Sequence, residues 1–405
     1  MNSSKSLQLP VAIVVISGCL LLLMSFGYRS GFGLFVKPLS DANQWGREVI
    51  SLALALQNLC WGVVAVFAGA AADKFGNVKV IVVASLLYGL GMFLMAGVDT
   101  PWLLHSSTGL LVGAGVAGTS FGIVLPALAR AVAAEKRQQV LGLGTAAGSM
   151  GQFLLVPLSQ VLIDNFGWIS ALHILSLSVV GMILLAIPLA PFGGPHSSGD
   201  DASHRLLSQV LKDAAGHRSY LLLVSGFFVC GFHVAFISAH LPAYLSDLGF
   251  DSQVGAWSIA LIGFCNVIGA YMSGVWSGKL SKRFVLMFIY LTRGVVIAGF
   301  LVTPVSLPSI LIFSALMGFL WLSTVPPTSG LVATMFGTRY MATLYGIVFL
   351  SHQLGSFSGV WLGGWLYDQF GSYDPVWWIG IALSIFAGVV HFPIQEQTAP
   401  GYSPA

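Results

Sequence analysis

The sequence predicts an all-α membrane protein: twelve transmembrane helices in two pseudo-symmetric six-helix bundles. Three observations carry that prediction. Of 405 residues, 56% are hydrophobic and 8% charged, with a mean hydropathy of +0.88, whereas soluble domains carry about 25% charged residues. Twelve apolar runs each approach the roughly 20 residues that a helix needs to cross a bilayer. The two halves of the chain also repeat one another at an offset of about 204 residues.

The first run, 10–36, follows a single lysine and has no small-residue cleavage site, so it reads as a first transmembrane helix rather than a removable signal. Runs 48–70 and 79–97 flank a short charged loop. The fourth, 102–125, ends at Pro126; the fifth, 139–163, contains Pro157; the sixth is 168–190. Then comes the longest polar stretch, GGPHSSGDDASHRLLSQVLKDAAGHRS, within which LLSQVLKDAA can form a short surface helix. The second set runs 219–244, 254–276, 284–304, 308–333, 341–366 and 375–394, with Pro326 and Pro327 in the fourth of these. These prolines remove backbone hydrogen bonds inside helices. Kinks that permit gating and plain local packing explain them equally well. The chain thus divides into an N-terminal bundle (1–192), a cytoplasmic central loop (193–217), a C-terminal bundle (218–395) and a cytoplasmic tail (396–405).

Orientation follows from the basic residues. With the N-terminus inside, the cytoplasmic segments hold Lys5, Lys74, Lys79, Arg130, Lys136, Arg137, Arg205, Lys212, Arg218, Lys279, Lys282, Arg283 and Arg339, against Lys37 and Arg47 outside. Both termini are therefore expected in the cytoplasm. A net charge of +3 gives no case for nucleic acid. The four cysteines all lie in apolar runs and read as small core residues. No metal, cofactor or enzymatic constellation is expected: paired carboxylates, metal-ligand spacing, a phosphate loop and a nucleophile elbow are all missing.

The repeat rests on polar and small residues, where coincidence is rare. Gly27 matches Gly231, Phe32 matches Phe236, and Pro38 matches Pro242. Gly142 matches Gly346, Gly151 matches Gly355, Phe153 matches Phe357, and DNFG at Asp164–Gly167 matches DQFG at Asp368–Gly371. Gly69 matches Gly274 at an offset one larger. Six-plus-six chains with parallel halves are the plan of carriers that bind substrate at the midplane and rock around it, for which a monomer suffices.

Two arginines, Arg29 and Arg293, lie inside apolar runs, while every Asp and Glu falls at a run's end, in a loop or in a tail. An ionisable group at membrane depth costs roughly 3 kcal/mol or more and faces a wet cavity or a partner. With no buried acid in the sequence to pair with, the natural partner is an anion from outside. A guanidinium matches a carboxylate bidentately, so Arg29 is the first candidate for substrate and Arg293 the second. Arg29 is about 19 residues into its run, or roughly 28 Å, and snorkelling to the interface is the competing role. For Arg293 the competing role is capping a carbonyl cluster. At the repeat offset Arg29 falls opposite His233, a group able to change charge near neutral pH and so a candidate for proton coupling. Gln57, Asn58, Asn266, His352 and Gln353 could complete the site, although interhelical hydrogen bonding is the commoner use of such residues.

The loop GAAADKFGNVK resembles the signature of the major facilitator superfamily, Gly-x-x-x-Asp-Arg/Lys-x-Gly followed by a basic residue; Gly69, Asp73, Lys74, Gly76 and Lys79 fill it. With the helices and the repeat, the resemblance covers nearly the whole chain and implies the major facilitator fold. It also implies that this loop latches the halves on the cytoplasmic side. There Asp73 would sit at a helix N-terminus of the other half with Arg130 as counterion. The second copy, GVWSGKLSKR, has Gly278 where the acid would be. More finely, YRSGFGLFVKPLS and SHQLGSFSGVWLGGWLYDQFGSYD are similar to the monocarboxylate and oxalate–formate branch, closest to bacterial members of unassigned substrate. That branch often carries an Asp and an Arg on helix eight; here Asn266 and Ala270 stand there. The arginine and Gly/Pro patterns of drug exporters are missing or partial. The expectation is a secondary active transporter of small organic anions in a lipid bilayer, the bacterial inner membrane, with protons as the coupling ion. The alternatives are an exporter or exchanger of amphipathic metabolites with structural arginines, and a non-transporting membrane sensor.

Overall fold

A computed structural model describes residues 10–133, 137–192, 207–337, 341–400 and 402, without the side chains of Asp73, 137–139, 207 and 341–342. Among the described residues all regular structure is helical. Ten stretches are long and apolar enough to cross a membrane. One of them, Val140–Phe192, spans 53 residues, about 80 Å if straight. It is instead two helices, because Gly167 takes φ 78°, ψ 158° and reverses the chain. Met341–Phe370, a 30-residue helix, completes the twelve.

These are α1 (Val11–Asn43), α2 (Arg47–Phe75), α3 (Asn77–Met95), α4 (Pro101–Ala131), α5 (137–166) and α6 (168–192) in the first half. The second half holds α7 (Arg218–Asp247), α8 (Ser252–Lys279), α9 (Lys282–Val302), α10 (Leu307–Phe336), α11 (Met341–Phe370) and α12 (Asp374–His391). The expected amphipathic segment of the central loop is a helix, Leu207–Gly216, that buries Val210 and Ala214. Half of the helices overrun their apolar runs at both ends. Polar turns such as Lys37–Asn43 continue helically because backbone bonding does not stop where hydropathy does.

Four of the repeated glycines, Gly27, Gly151, Gly231 and Gly355, mark close crossings. A Cβ on Gly27 would lie 2.7 Å from the carbonyl oxygen of Gly151, joining α1 to α5. A Cβ on Gly231 would overlap the carbonyl of His352, and one on Gly355 the carbonyl of Phe228, joining α7 to α11. Small residues let helix backbones approach, which is how helices associate where lipid is as apolar as leucine. Across the halves, α2 packs on α11 and α5 on α8, while α9 packs chiefly on α12 and α10 at the rim.

Two helices are broken, at matching places. In α4 the chain is extended at Ser120 (φ −90°, ψ −177°) before Phe121–Ala131 resumes. In α10 the first piece ends at Leu320 and the second starts at Val325, with Pro326 and Pro327 in its first turn, where a missing N–H does no harm. Pro126 and Pro157 sit inside continuous helix.

Candidate functional site

Arg29 lies on α1 where it faces α2, and its Nη2 donates to Asn58 Oδ1 at 2.6 Å. Asn58 is held in turn by its own helix, donating through Nδ2 to the Leu54 carbonyl at 2.8 Å. The guanidinium carbon lies 4.8 Å from the centre of the Trp61 ring, one helical turn along from Gln57 and Asn58, a cation–π contact. Arg29 and Asn58 border a narrow opening of about 20 Å³ between the halves; Arg29, Gln57 and Asn58 line it from the first half, and Ala235, Ser238, Ala239 and Val360 from the second. Among the described residues no carboxylate pairs with Arg29. The arginine of α1, set against an amide and an aromatic ring on one turn of α2, thus offers guanidinium hydrogen bonds to a ligand within a low-dielectric wall, where they act more strongly than in water.

From the second half, α11 reaches the same place. Gln353 Nε2 donates to the Asn58 carbonyl at 2.9 Å, across the halves. With that amide hydrogen committed, Gln353 Oε1 is the acceptor for His352 Nδ1 at 3.0 Å, so the His352 ring presents Nδ1–H there and leaves Nε2 as the proton acceptor. The ring stacks on Phe349 with centroids 5.7 Å apart, and Phe349 meets Trp61 edge-on at 5.3 Å. Phe26 and Phe121 extend this aromatic cluster on the first-half side.

Of the remaining candidates, only Gln57 lines the opening. Gln57 is 3% exposed and spends its amide on the Thr108 carbonyl, at 3.2 Å. Arg293, placed second as an anion ligand, is instead enclosed at 0% exposure on α9. Its Nη2 donates to the carbonyls of Leu320 (2.7 Å) and Trp321, the carbonyls that the break in α10 frees, and approaches Cys230 Sγ at 3.7 Å. A helix C-terminus is the negative end of its dipole, so the broken end of α10 supplies what an acid otherwise would. Asn266 serves the same break: its Oδ1 accepts from the Leu322 N–H at 2.9 Å, while its Nδ2 donates to Ser149 Oγ on α5 at 2.9 Å. His233 occupies the register matching Arg29 but turns the other way, donating through Nε2 to the Gly380 carbonyl on α12 at 2.8 Å. Trp61, Phe349 and Ser238 are site residues that sequence reasoning missed; the one signal available for any of them was the helical spacing of Trp61 from Gln57 and Asn58.

The profile of the Major Facilitator Superfamily matches residues 18–360. The chain belongs to the Major Facilitator Superfamily. Relatives span nearly its whole length. The uncharacterized MFS-type transporter YcxA of Bacillus subtilis (strain 168) is 24% identical, covering 85% of this chain and 86% of that protein. Monocarboxylate transporter 13 of Rattus norvegicus is 25% identical, covering 89% and 83%. Multidrug resistance protein MdtH of Yersinia pestis (strain Pestoides F) is 25% identical, covering 86% and 84%. Among solved structures, a D-xylose-proton symporter superposes with a TM-score of 0.72 at 14% identity, covering 96% of this chain and 99% of that one, which bears on the fold.

Within this superfamily member the signature loop joins α2 to α3. Gly76 (φ 90°) makes the turn, Lys74 is exposed, and Arg130 lies in the last turn of α4. The side chain of Asp73 lies outside the described residues, so the cytoplasmic latch expected of Gly69, Asp73, Lys74, Gly76 and Arg130 stays an expectation. A Cβ at Gly69 would meet nothing within 4 Å.

Proposed function

We propose that this transporter carries small organic anions, carboxylates above all, by alternating access with proton symport, in a bacterial inner membrane with both termini cytoplasmic. One observation carries the reading: Arg29 lies near the middle of α1, in an opening between the halves, with an amide and a ring as its neighbours and no described carboxylate to neutralise it. An arriving carboxylate supplies that charge, and it does so where both halves can feel its binding. The monocarboxylate transporter among the relatives supports the same substrate class. For coupling, His352 is the better placed histidine, since Gln353 links it to the Asn58 backbone beside Arg29, whereas His233 is committed to α12.

The test is uptake into proteoliposomes of a panel of short monocarboxylates, dicarboxylates, an aromatic acid and a neutral amide analogue, with and without an inward proton gradient. Saturable acid uptake that the amide neither shows nor inhibits is the expected result. His352→Gln is expected to keep acid exchange and lose gradient stimulation. The competing reading is an exporter or exchanger of amphipathic metabolites. The multidrug resistance protein among the relatives and the aromatic cluster of Phe26, Trp61, Phe121 and Phe349 favour it. Transport of the uncharged analogue as fast as the acid would decide for it.

A further inference from the structure

We propose that the repeated Asp-x-Phe-Gly turns, at the ends of α5 and α11, form a twofold latch that holds the halves shut on the face opposite the termini. The charge asymmetry assigns that face to the outside. Each turn has the same three parts. The acid reaches across to the start of a helix in the other half; the phenylalanine, Phe166 or Phe370, is 60% or 66% exposed on the outer surface of the bundle; and the glycine takes a positive φ, 78° at Gly167 and 67° at Gly371, that reverses the chain three residues after the acid.

The two acids make related contacts. Asp368 accepts from the backbone N–H of Arg47 at 2.9 Å and of Glu48 at 2.7 Å, both in the first turn of α2. Those N–H groups have no partner within their own helix, and the helix dipole favours a carboxylate there. Asp164 accepts from Gln253 Nε2 at 2.5 Å and Ser252 Oγ at 3.5 Å, in the first turn of α8, and Gln160 orients it at 2.7 Å. The α8 start already has its own cap, Asp251 on the Gln253 N–H at 2.8 Å, so Asp164 takes side chains where Asp368 takes backbone. The α2 side is reinforced. Arg47 is bidentate to Asp247 at 2.5 and 2.6 Å, donates to Tyr373 Oη at 2.9 Å and lies 3.9 Å over the Tyr367 ring. Trp361 Nε1 donates to Glu48 Oε1 at 3.3 Å. Every one of these contacts except the Gln160 and Asp251 ones joins one half to the other, so opening this face requires breaking them together.

The latch is independent of what the protein carries, and its test reads accessibility rather than uptake. Ser238, which lines the central opening, is replaced by cysteine in the full chain. A membrane-impermeant maleimide is then applied from the face opposite the termini, with the natural-cysteine chain as background. Asp368→Asn is expected to raise the labelling rate about tenfold, Asp164→Asn by less, and the double variant by more than either. A double variant that is inserted and monodisperse yet labels at the unaltered rate would overturn the latch. The charge-exchanged pair decides even where the neutral variants fold poorly. Arg47→Asp alone is expected to label fast, and adding Asp247→Arg to slow it again; a pair that labels as fast as the single variant overturns the proposal.

Discussion

At the scale of single residues, the two membrane arginines have opposite surroundings and should respond oppositely to removal. Arg293 is fully enclosed and bonded to the carbonyls of Leu320 and Trp321. Arg293→Met leaves those acceptors without a donor, at about 1–3 kcal/mol for each buried group left unpaired. A clear drop in thermal unfolding temperature in detergent is the expected result, with transport per folded molecule largely kept. Arg29 has one neutral hydrogen-bond partner, Asn58, and borders the central opening. Arg29→Gln is expected to abolish acid uptake while changing the unfolding temperature little. A variant that still takes up acid normally would rule Arg29 out as the anion site. The sequence showed that both arginines lie in apolar runs without acids. It did not show which one a helix end would satisfy, because the break in α10 is written only in Pro326 and Pro327, and proline at a helix start looks like proline inside a helix until the backbone is seen. His233 illustrates a further limit: the repeat placed its backbone correctly opposite Arg29, but repeat register does not fix which neighbour a side chain faces.

At the scale of the helix, the glycines repeated between halves separate into those that make contacts and those that do not. Gly231 and Gly355 press on carbonyls of the facing helix, whereas Gly142 and Gly346 would accept a Cβ with nothing within 4 Å. Gly231→Ala forces α7 off α11 and should cost about 1–3 kcal/mol, as overpacking does. Gly142→Ala should be neutral or slightly stabilising, since alanine favours helix over glycine by up to about 1 kcal/mol. Thermal unfolding of the two variants side by side checks the contrast. The repeat was legible because glycine, proline and aspartate stand out against an apolar background. The break of α4 at Ser120 was not, since no glycine or proline lies at the break itself and Pro126, which is legible, sits inside unbroken helix.

At the scale of the whole molecule, hydrogen bonds between the halves, among the described residues, lie at mid-depth or on the face opposite the termini. At mid-depth these are Asn266 to Ser149, Gln353 to Asn58 and Gln152 to the Ile259 carbonyl at 2.8 Å. Beyond them, Gly33 of α1 lies against the Ser238 and Ala239 carbonyls of α7, a close approach of the two halves beside the central opening. Gly33→Leu cannot fit there, so the halves should be held apart on that face. Faster labelling at Ser238→Cys from that side, with slowed substrate turnover, is the expected outcome. Sequence reasoning reached the twelve helices and the repeat because both are periodic along the chain. It did not reach this closed face, whose contacts join residues about 90 to 320 positions apart with no periodic trace.

As the proposed anion site, Arg29 has a consequence in voltage. Its charge is fixed to the protein, so over a full cycle it moves nothing across the membrane; only what it releases counts. A carboxylate that travels with a proton carries no net charge, and its accumulation ratio is then untouched by a potassium–valinomycin potential. A carboxylate that travels alone carries one negative charge, worth about 2.3 kcal/mol per 100 mV, or roughly a fifty-fold shift in that ratio. The membrane potential alone therefore reads how many charges accompany each acid past Arg29.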